Sequence, residues 1–130
     1  MEASKSFTDL KVWQAAHQFV LDVYRGAQAF PEVERFGLYS QFTRAAVSIP
    51  ANIAEGYKRL GKAEKLRFFN ISQGSLEECR YYILLAKDLT YIGQEVYAYL
   101  SNEIECISRY LNSYCSSIRE DKVTNGNFNS

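Results

Sequence analysis

The sequence predicts an all-α protein that folds as an antiparallel up-down-up-down four-helix bundle. Apolar residues recur at steps of three and four in four successive segments, the spacing that gathers them on one side of a helix. No segment shows the polar and apolar alternation of a half-buried strand. Proline or glycine residues mark the segment junctions, and long helices joined by short turns pack antiparallel with their apolar sides together.

The first two segments have recognisable ends. The first helix is predicted to begin after Thr8 or Asp9, either of which can cap it, and to stop before Pro31. Its apolar side consists of Leu10, Trp13, His17, Val20, Tyr24 and Ala27. The second helix is predicted over about residues 34–59, with Gly61 as its breaker. Its apolar side consists of Phe42, Ala45, Ala46, Ile49, Ile53 and Tyr57.

The last two segments complete the predicted bundle. A third helix is expected over about residues 62–90, and Gly93 separates it from a fourth over about 94–118. The apolar side of the third is Leu66, Phe69, Ser72, Leu76, Cys79, Ile83, Ala86 and Leu89. That of the fourth is Val96, Leu100, Ile104, Ile107, Leu111 and Ile118. We therefore assign residues 1–118 to one four-helix bundle domain and expect the polar residues 119–130 to form a flexible tail.

Composition narrows the class of protein. The 130 residues are 47% hydrophobic and 15% aromatic, which suffices for the core of a single domain. Fifteen basic residues balance fifteen acidic ones, so the average charge gives no reason to expect nucleic acid. Three cysteines without C-x-x-C spacing favour free thiols in a reducing compartment. No signal peptide or membrane span is evident, and a soluble cytoplasmic protein is expected.

The second helix carries residues that ordinarily weaken a helix. Pro50 removes a backbone hydrogen bond at a cost of roughly 3 kcal/mol, and Gly56 costs up to about 1 kcal/mol relative to alanine. Polar residues nearby are spaced by four, four, three and four positions, so they share one side of the helix. We call this set the polar seam: Arg44, Ser48, Asn52, Glu55 and Arg59. Small and polar residues of the third helix are expected to face it: Ser72, Gly74, Ser75 and Glu78.

Two interpretations of the seam remain open. In the structural one, Ser48 and Asn52 hydrogen-bond carbonyls freed by Pro50, while Arg44 and Glu55 are paired to each other or to a neighbour. That interpretation, which the residue types favour, makes a structural set of Arg44, Ser48, Pro50, Asn52, Glu55 and Gly56. In the alternative one, the seam is a ligand-binding site.

Several phrases of the sequence resemble a known family. FTDLKVWQAAHQFVLDVY, RAAVSIPANIAEGYKR and the following GSLEE element are similar to the four-helix-bundle proteins encoded by intervening sequences within bacterial 23S ribosomal RNA genes. The resemblance covers about residues 7–111. It implies an antiparallel bundle that assembles into a homopentamer, without an established enzymatic activity. The accessory protein of diversity-generating retroelements, a basic pentameric bundle that contacts nucleic acid, is more distantly similar.

Partners are predicted from two local features. Ten tyrosines, eight phenylalanines and one tryptophan exceed what a slim bundle readily hides, so a homo-oligomer is expected. A basic cluster spans the junction of the second and third helices: Lys58, Arg59, Lys62, Lys65 and Arg67. Repeated around a ring, this cluster would suit RNA phosphates. Solvated helix ends are the simpler interpretation of the cluster, and a scaffold that binds another protein is the alternative function.

Enzymatic chemistry has little support in the sequence. His17 is the single histidine, and Gln14 stands where a di-iron bundle would need a glutamate. No nucleophile elbow, phosphate-binding loop or dinucleotide fingerprint occurs. We therefore expect a protein without catalytic residues, metal or cofactor, in which His17 lies half-buried on the apolar side of the first helix.

Overall fold

A computed structural model describes residues 5–120 of the chain. Four helices make up most of this range: α1 (Lys11–Gly26), α2 (Leu38–Lys58), α3 (Lys62–Asp88) and α4 (Gln94–Arg119). Short 3-10 turns at Phe7–Asp9, Ala27–Ala29 and Glu32–Glu34 flank α1. Between residues 5 and 120 the chain contains no β-strand, so the predicted all-α class with four helices is confirmed.

Helix α2 begins at Leu38, later than the predicted start near residue 34. The cause is the role of Glu34, whose carboxylate accepts a hydrogen bond from the Leu38 backbone N–H at 3.0 Å. The same carboxylate accepts a second bond from the Tyr91 hydroxyl at 2.8 Å. These bonds favour the ionised form and lower the pKa of Glu34. Glu34 therefore caps α2 from outside and ties its start to the α3–α4 connection.

Each helix packs against two others, α1 against α2 and α4, and α3 against α2 and α4. The α2–α3 contact is the most extensive of the four. Near the start of α2, Gln41 accepts a hydrogen bond from Tyr82; near its end, the carbonyl of Tyr57 accepts one from Lys65. An early residue of α2 is thus bonded to a late residue of α3, and a late residue of α2 to an early residue of α3.

The hydrophobic core lies between the four helices. Burying one large aliphatic or aromatic side chain contributes roughly 1.5–3 kcal/mol, so these residues supply the main driving force for folding. The largest fully buried side chains come from all four helices: Phe19, Phe42, Ile49, Ile53, Phe69, Leu76, Ile83, Leu100, Ile104, Ile107, Leu111 and Ile118. Within the described part of the chain, no helix is long and apolar enough to cross a membrane.

Two expectations at the margins of the bundle have different outcomes. His17 was expected to be half-buried, but it is exposed and stacks on Trp13 with ring centroids 4.9 Å apart. Its position four residues after Trp13 places the imidazole on the outer edge of the apolar side, where the indole covers one of its faces. Helix α4 continues to Arg119, and residues 121–130 of the expected tail lie outside the described range.

Candidate functional site

The polar seam divides into a buried part and an exposed part. Ser48 and Asn52 are half-buried beside α3, whereas Arg44 and Glu55 face solvent. Glu55 forms an ion pair with Arg59, one turn further along α2. The ion-pair partner of Glu55 is therefore Arg59, four residues later in the chain. Ser48 and Asn52 are the two half-buried polar residues of the seam beside α3.

These two groups form a hydrogen-bonded cluster with α3. The side-chain amide of Asn52 donates to the Ser48 carbonyl at 2.9 Å and to the Ser48 hydroxyl at 3.0 Å. The Ser48 and Ser75 hydroxyl oxygens lie 2.8 Å apart across the helix contact. A ligand at this position would have to replace bonds that the protein already makes, so the cluster fits a packing role better than a binding role.

A second hydrogen bond crosses the same contact more deeply. The fully buried Ser72 hydroxyl donates to the Ile49 carbonyl at 2.8 Å. This carbonyl is not the one that Pro50 frees, because a residue at position 50 would normally bond the carbonyl of Ala46. Asn52 likewise bonds to Ser48 rather than to Ala46. The Ser48 and Ser72 side chains thus join α2 to α3. The expectation that Ser48 and Asn52 bond the carbonyl freed by Pro50 is wrong.

Close approach of the two helices depends on Gly56. A β-carbon at this position would lie 2.7 Å from Cε1 of Phe69 and 3.1 Å from Cβ of Phe68, closer than atoms in a packed core approach. Gly56 and Phe69 are both buried. The glycine that weakens α2 as an isolated helix therefore allows it to pack tightly on α3.

Lys65 caps the end of α2 from the first turns of α3. Its ammonium group donates to the Gly56 carbonyl at 3.3 Å and to the Tyr57 carbonyl at 2.9 Å. A cation here also interacts favourably with the negative end of the helix dipole. Only 5% of Lys65 is exposed, and this burial lowers its pKa to about 8. Lys65 was predicted to contact RNA, but it does not reach the surface needed for that contact.

The other members of the basic cluster stay near the surface. Arg59 and Arg67 place their guanidinium groups 4.8 Å and 4.4 Å from the ring centroid of Phe68. Each is also paired with an acidic residue of its own helix, Arg59 with Glu55 and Arg67 with Glu64. The remaining two members, Lys58 and Lys62, are exposed and half-buried respectively, and Lys62 lies 3.4 Å from the Arg119 carbonyl oxygen. Arg59 and Arg67 form a basic surface around Phe68 whose charge the glutamates partly offset, and Lys58 and Lys62 lie at the same α2–α3 junction.

The described residues contain no group of three or more histidine, cysteine, aspartate or glutamate side chains arranged to hold a metal ion. The thiols of Cys79 and Cys115 are buried, and burial raises the pKa of both. A buried thiol with a raised pKa is a poor nucleophile.

Two features escaped the sequence analysis. Lys65 lies four and seven residues before Phe69 and Ser72, so the buried side of α3 already indicated that it faces inward. Asp22 on α1 accepts a hydrogen bond from the Tyr99 hydroxyl of α4 at 3.2 Å, and one turn further along α4 burial raises the pKa of Glu103 to about 8. No local pattern signals a pair that is brought together only by the packing of α1 on α4.

This geometry defines a class: an all-α four-helix protein whose α2 and α3 are joined by hydrogen bonds from hydroxyl and ammonium groups. Within that class, the chain belongs to the family of 23S rRNA-intervening sequence proteins, whose sequence model matches residues 8–113. The resemblance identified from the sequence is thereby confirmed.

The fold is also similar to a solved structure. A crystal structure of a protein of unknown function from the S23 ribosomal protein family of Bacteroides thetaiotaomicron matches with a TM-score of 0.74 and 25% sequence identity. The match covers 80% of this chain and 97% of that chain. No curated protein matches the chain.

Proposed function

We propose that this protein is a non-enzymatic cytoplasmic scaffold that assembles into a homopentamer of antiparallel up-down-up-down four-helix bundles. The antiparallel arrangement is supported by the partner order across α2–α3 described above. A similar order holds across α3–α4, where Arg80 bonds Glu105 and Gln73 bonds Asn112. The cytoplasmic location rests on the three free thiols, because disulfides are uncommon in a reducing compartment.

The proposal of assembly rests on exposed apolar residues on the outward side of α3. Ile71, Tyr81 and Leu84 are 40%, 56% and 42% exposed, so α3 is apolar on its outer side as well as on its inner side. Val47 of the adjacent helix α2 is 41% exposed. A cluster of exposed apolar side chains on adjacent helices is typical of a protein–protein contact. We call these four residues the α3 surface.

A ring also requires a second, different surface on each subunit. The α1–α4 contact lies on the opposite side of the bundle from α2–α3, because each helix packs only on the neighbours named above. An exposed aromatic residue occurs there too: Tyr99 of α4 is 56% exposed, and its hydroxyl donates to Asp22 of α1. Contact between the α3 surface of one copy and the α1–α4 side of the next would generate a closed ring of identical subunits.

Light scattering on two matched variants tests the assembly. Ile71→Glu introduces a charge into the α3 surface and is expected to convert the assembly into single subunits, because burying an unpaired carboxylate is costly. Val33→Glu is the control, since Val33 is 83% exposed in the turn before α2, outside both proposed surfaces. Assembly that survives Ile71→Glu unchanged would overturn the assignment of this surface.

RNA association is the second candidate, and the basic surface around Phe68 favours it. Lys58, Lys62, Arg59 and Arg67 lie at the α2–α3 junction, so a ring would repeat them on one rim and present a multivalent array to phosphates. Phe68, half-buried between the two arginines, adds an aromatic ring to this surface.

Filter binding with structured RNA at low and high salt tests this candidate. The double variant Lys58→Ala, Lys62→Ala is expected to weaken retention at low salt and to reduce its salt dependence, since each lost phosphate contact lowers the slope by about one. Lys87→Ala, at the far end of α3, is the control. Absence of retention at low salt would reject RNA and favour a protein partner.

A further inference from the structure

A cavity of about 360 Å³ opens between the end of α1 and the start of α2. Its apolar lining consists of Ala27, Phe30, Pro31 and Tyr39. Its polar lining consists of Gln28, Glu32 and Arg35, all three exposed to solvent. Binding sites for small molecules typically have volumes of about 300–1,000 Å³, mostly apolar walls and a few polar groups. The cavity has the size and the composition of such a site.

The aromatic side chains of the cavity are held in place by other rings. The centroid of the Phe30 ring lies 6.2 Å from that of Phe42 in the core and 5.4 Å from that of Tyr91 in the α3–α4 connection. The Tyr39 ring makes an edge contact with Tyr24 of α1, with centroids 6.5 Å apart. Because these contacts fix Phe30 and Tyr39 in the bundle, the apolar wall is preformed and binding does not have to order it.

The turn that carries the charged residues of the cavity is also fixed. The Pro31 carbonyl accepts a hydrogen bond from the Glu34 N–H at 2.9 Å, and the Glu32 carbonyl accepts one from the Arg35 N–H at 3.0 Å. The Glu34 carboxylate bonds the Leu38 N–H at 3.0 Å, which attaches the turn to the start of α2. The backbone of Glu32 and Arg35 is therefore held beside the cavity.

Glu32 and Arg35 form a weak ion pair. Their carboxylate oxygen and guanidinium nitrogen are 3.5 Å apart, and the side chains are 86% and 66% exposed. Ion pairs this exposed contribute little to stability, so both groups can exchange partners at little cost. A ligand with a single charge would face repulsion from one of the two. A ligand with one carboxylate and one ammonium group would instead pair with both, the carboxylate with Arg35 and the ammonium with Glu32.

We propose that this cavity binds a free amino acid with an aromatic or branched apolar side chain. That side chain packs against Phe30, Pro31 and Tyr39, while the ligand carboxylate bonds Arg35 and the ligand ammonium bonds Glu32. A residue within a peptide lacks both charges and a peptide terminus carries only one of them, which favours the free amino acid. The site lies in the connection between α1 and α2, outside the α3 surface, so it adds ligand binding to the proposed scaffold.

An NMR titration of the wild-type protein with L-phenylalanine tests the site. The backbone amide resonances of residues 27–39 are expected to shift and saturate, with a Kd of about 1 mM or below for a ligand of this size. Hydrocinnamate lacks the ammonium group, phenethylamine lacks the carboxylate and glycine lacks the apolar side chain. Each of these three is expected to bind at least about tenfold more weakly. The proposal would be overturned by the absence of saturable shifts with L-phenylalanine, or by equal affinity for any of the three.

Two variants test the charged partners. Arg35→Gln is expected to weaken the binding of L-phenylalanine about tenfold, but not that of phenethylamine, which has no carboxylate. Glu32→Gln is expected to weaken L-phenylalanine similarly, but not hydrocinnamate, which has no ammonium group. Both side chains are exposed, so neither variant removes core packing. Arg109→Gln, which changes an exposed arginine of α4, is the matched control and is expected to leave binding unchanged. Wild-type affinity for L-phenylalanine in either Arg35→Gln or Glu32→Gln would contradict the proposed site.

Discussion

Gly56 of α2 packs directly against the ring of Phe69 of α3, with 2.7 Å separating Phe69 Cε1 from the place a β-carbon would occupy. Gly56→Ala is therefore expected to lower the free energy of unfolding by about 1–3 kcal/mol, the usual cost of overpacking a core. This expected loss of stability is opposite to the effect of intrinsic helix propensity, which favours alanine over glycine by up to about 1 kcal/mol. Urea denaturation of both proteins measures the difference.

Gly74 provides the matched control for that experiment. It lies in the interior of α3, but it is exposed and no atom lies within 4 Å of an added β-carbon. Gly74→Ala is expected to stabilise the subunit by about 0.5–1 kcal/mol through helix propensity alone. If Gly56→Ala stabilises the protein to the same extent as Gly74→Ala, the close α2–α3 approach described here is wrong.

Asn52 tests the structural role of the polar seam. Asn52→Ala removes the donor to the Ser48 carbonyl and hydroxyl and is expected to cost about 1 kcal/mol. Asn52→Asp is expected to cost more, because a carboxylate cannot donate to either Ser48 oxygen. Asn70→Ala, on the exposed side of α3, is expected to change stability by less than about 0.5 kcal/mol. Fully stable and correctly assembled Asn52 variants would contradict the structural role and support the alternative interpretation of the polar seam as a ligand-binding site.

Lys65 tests the cap at the end of α2. Lys65→Met keeps much of the buried stem but removes the donor to the carbonyls of Gly56 and Tyr57, with an expected cost of about 1–3 kcal/mol. Lys11→Met, at the exposed start of α1, is the control and is expected to be close to neutral. Thermal or urea unfolding distinguishes the two, and equal effects would reject the cap.

The same lysine predicts a pH dependence of its own. Its pKa is lowered from 10.5 to about 8, so between these values the unfolded chain binds more protons than the folded one. The contribution of Lys65 to stability is thus expected to rise with pH across this range. The difference between wild type and Lys65→Met, measured by urea unfolding at several pH values, isolates this contribution. A difference that stays constant with pH would contradict the lowered pKa.

Thr90 tests the turn after α3. Its backbone φ is 63°, a left-handed conformation that is unfavourable for a β-branched residue. Thr90→Gly is expected to raise the unfolding free energy by about 1 kcal/mol, because glycine adopts this conformation without steric cost. Differential scanning calorimetry would show a higher melting temperature; a lower one would mean that the threonine side chain contributes more than its backbone strain costs.

Much of the fold was predictable because apolar periodicity reports which side of a helix is buried. That pattern predicted the four helices, but the burial of Lys65 was missed because its charge suggested a surface role. The start of α2 was missed because Glu34 caps the helix through its side chain, and a capping glutamate looks like a helical residue in the sequence. Pairs such as Asp22 and Tyr99 were not predictable, because they form only when helices distant in the sequence pack together.

The α2–α3 seam was predictable in part. The spacing of Ser48 and Asn52, together with Ser72 and Ser75, correctly indicated that polar groups of the two helices meet. The actual bonds were not predictable, since they depend on rotamers and on the relative height of the helices. The ion pairs of Arg59 and Arg67 are different, because Glu55 and Glu64 precede them by four and three residues, a spacing at which side chains along a helix interact.

We expect this bundle to be one subunit of a ring, and the mass of the assembled protein decides whether it is. Sedimentation equilibrium of the wild-type chain at micromolar concentration is predicted to give a species of five subunits, each of 14.9 kDa. A single species with the mass of one subunit would contradict the account.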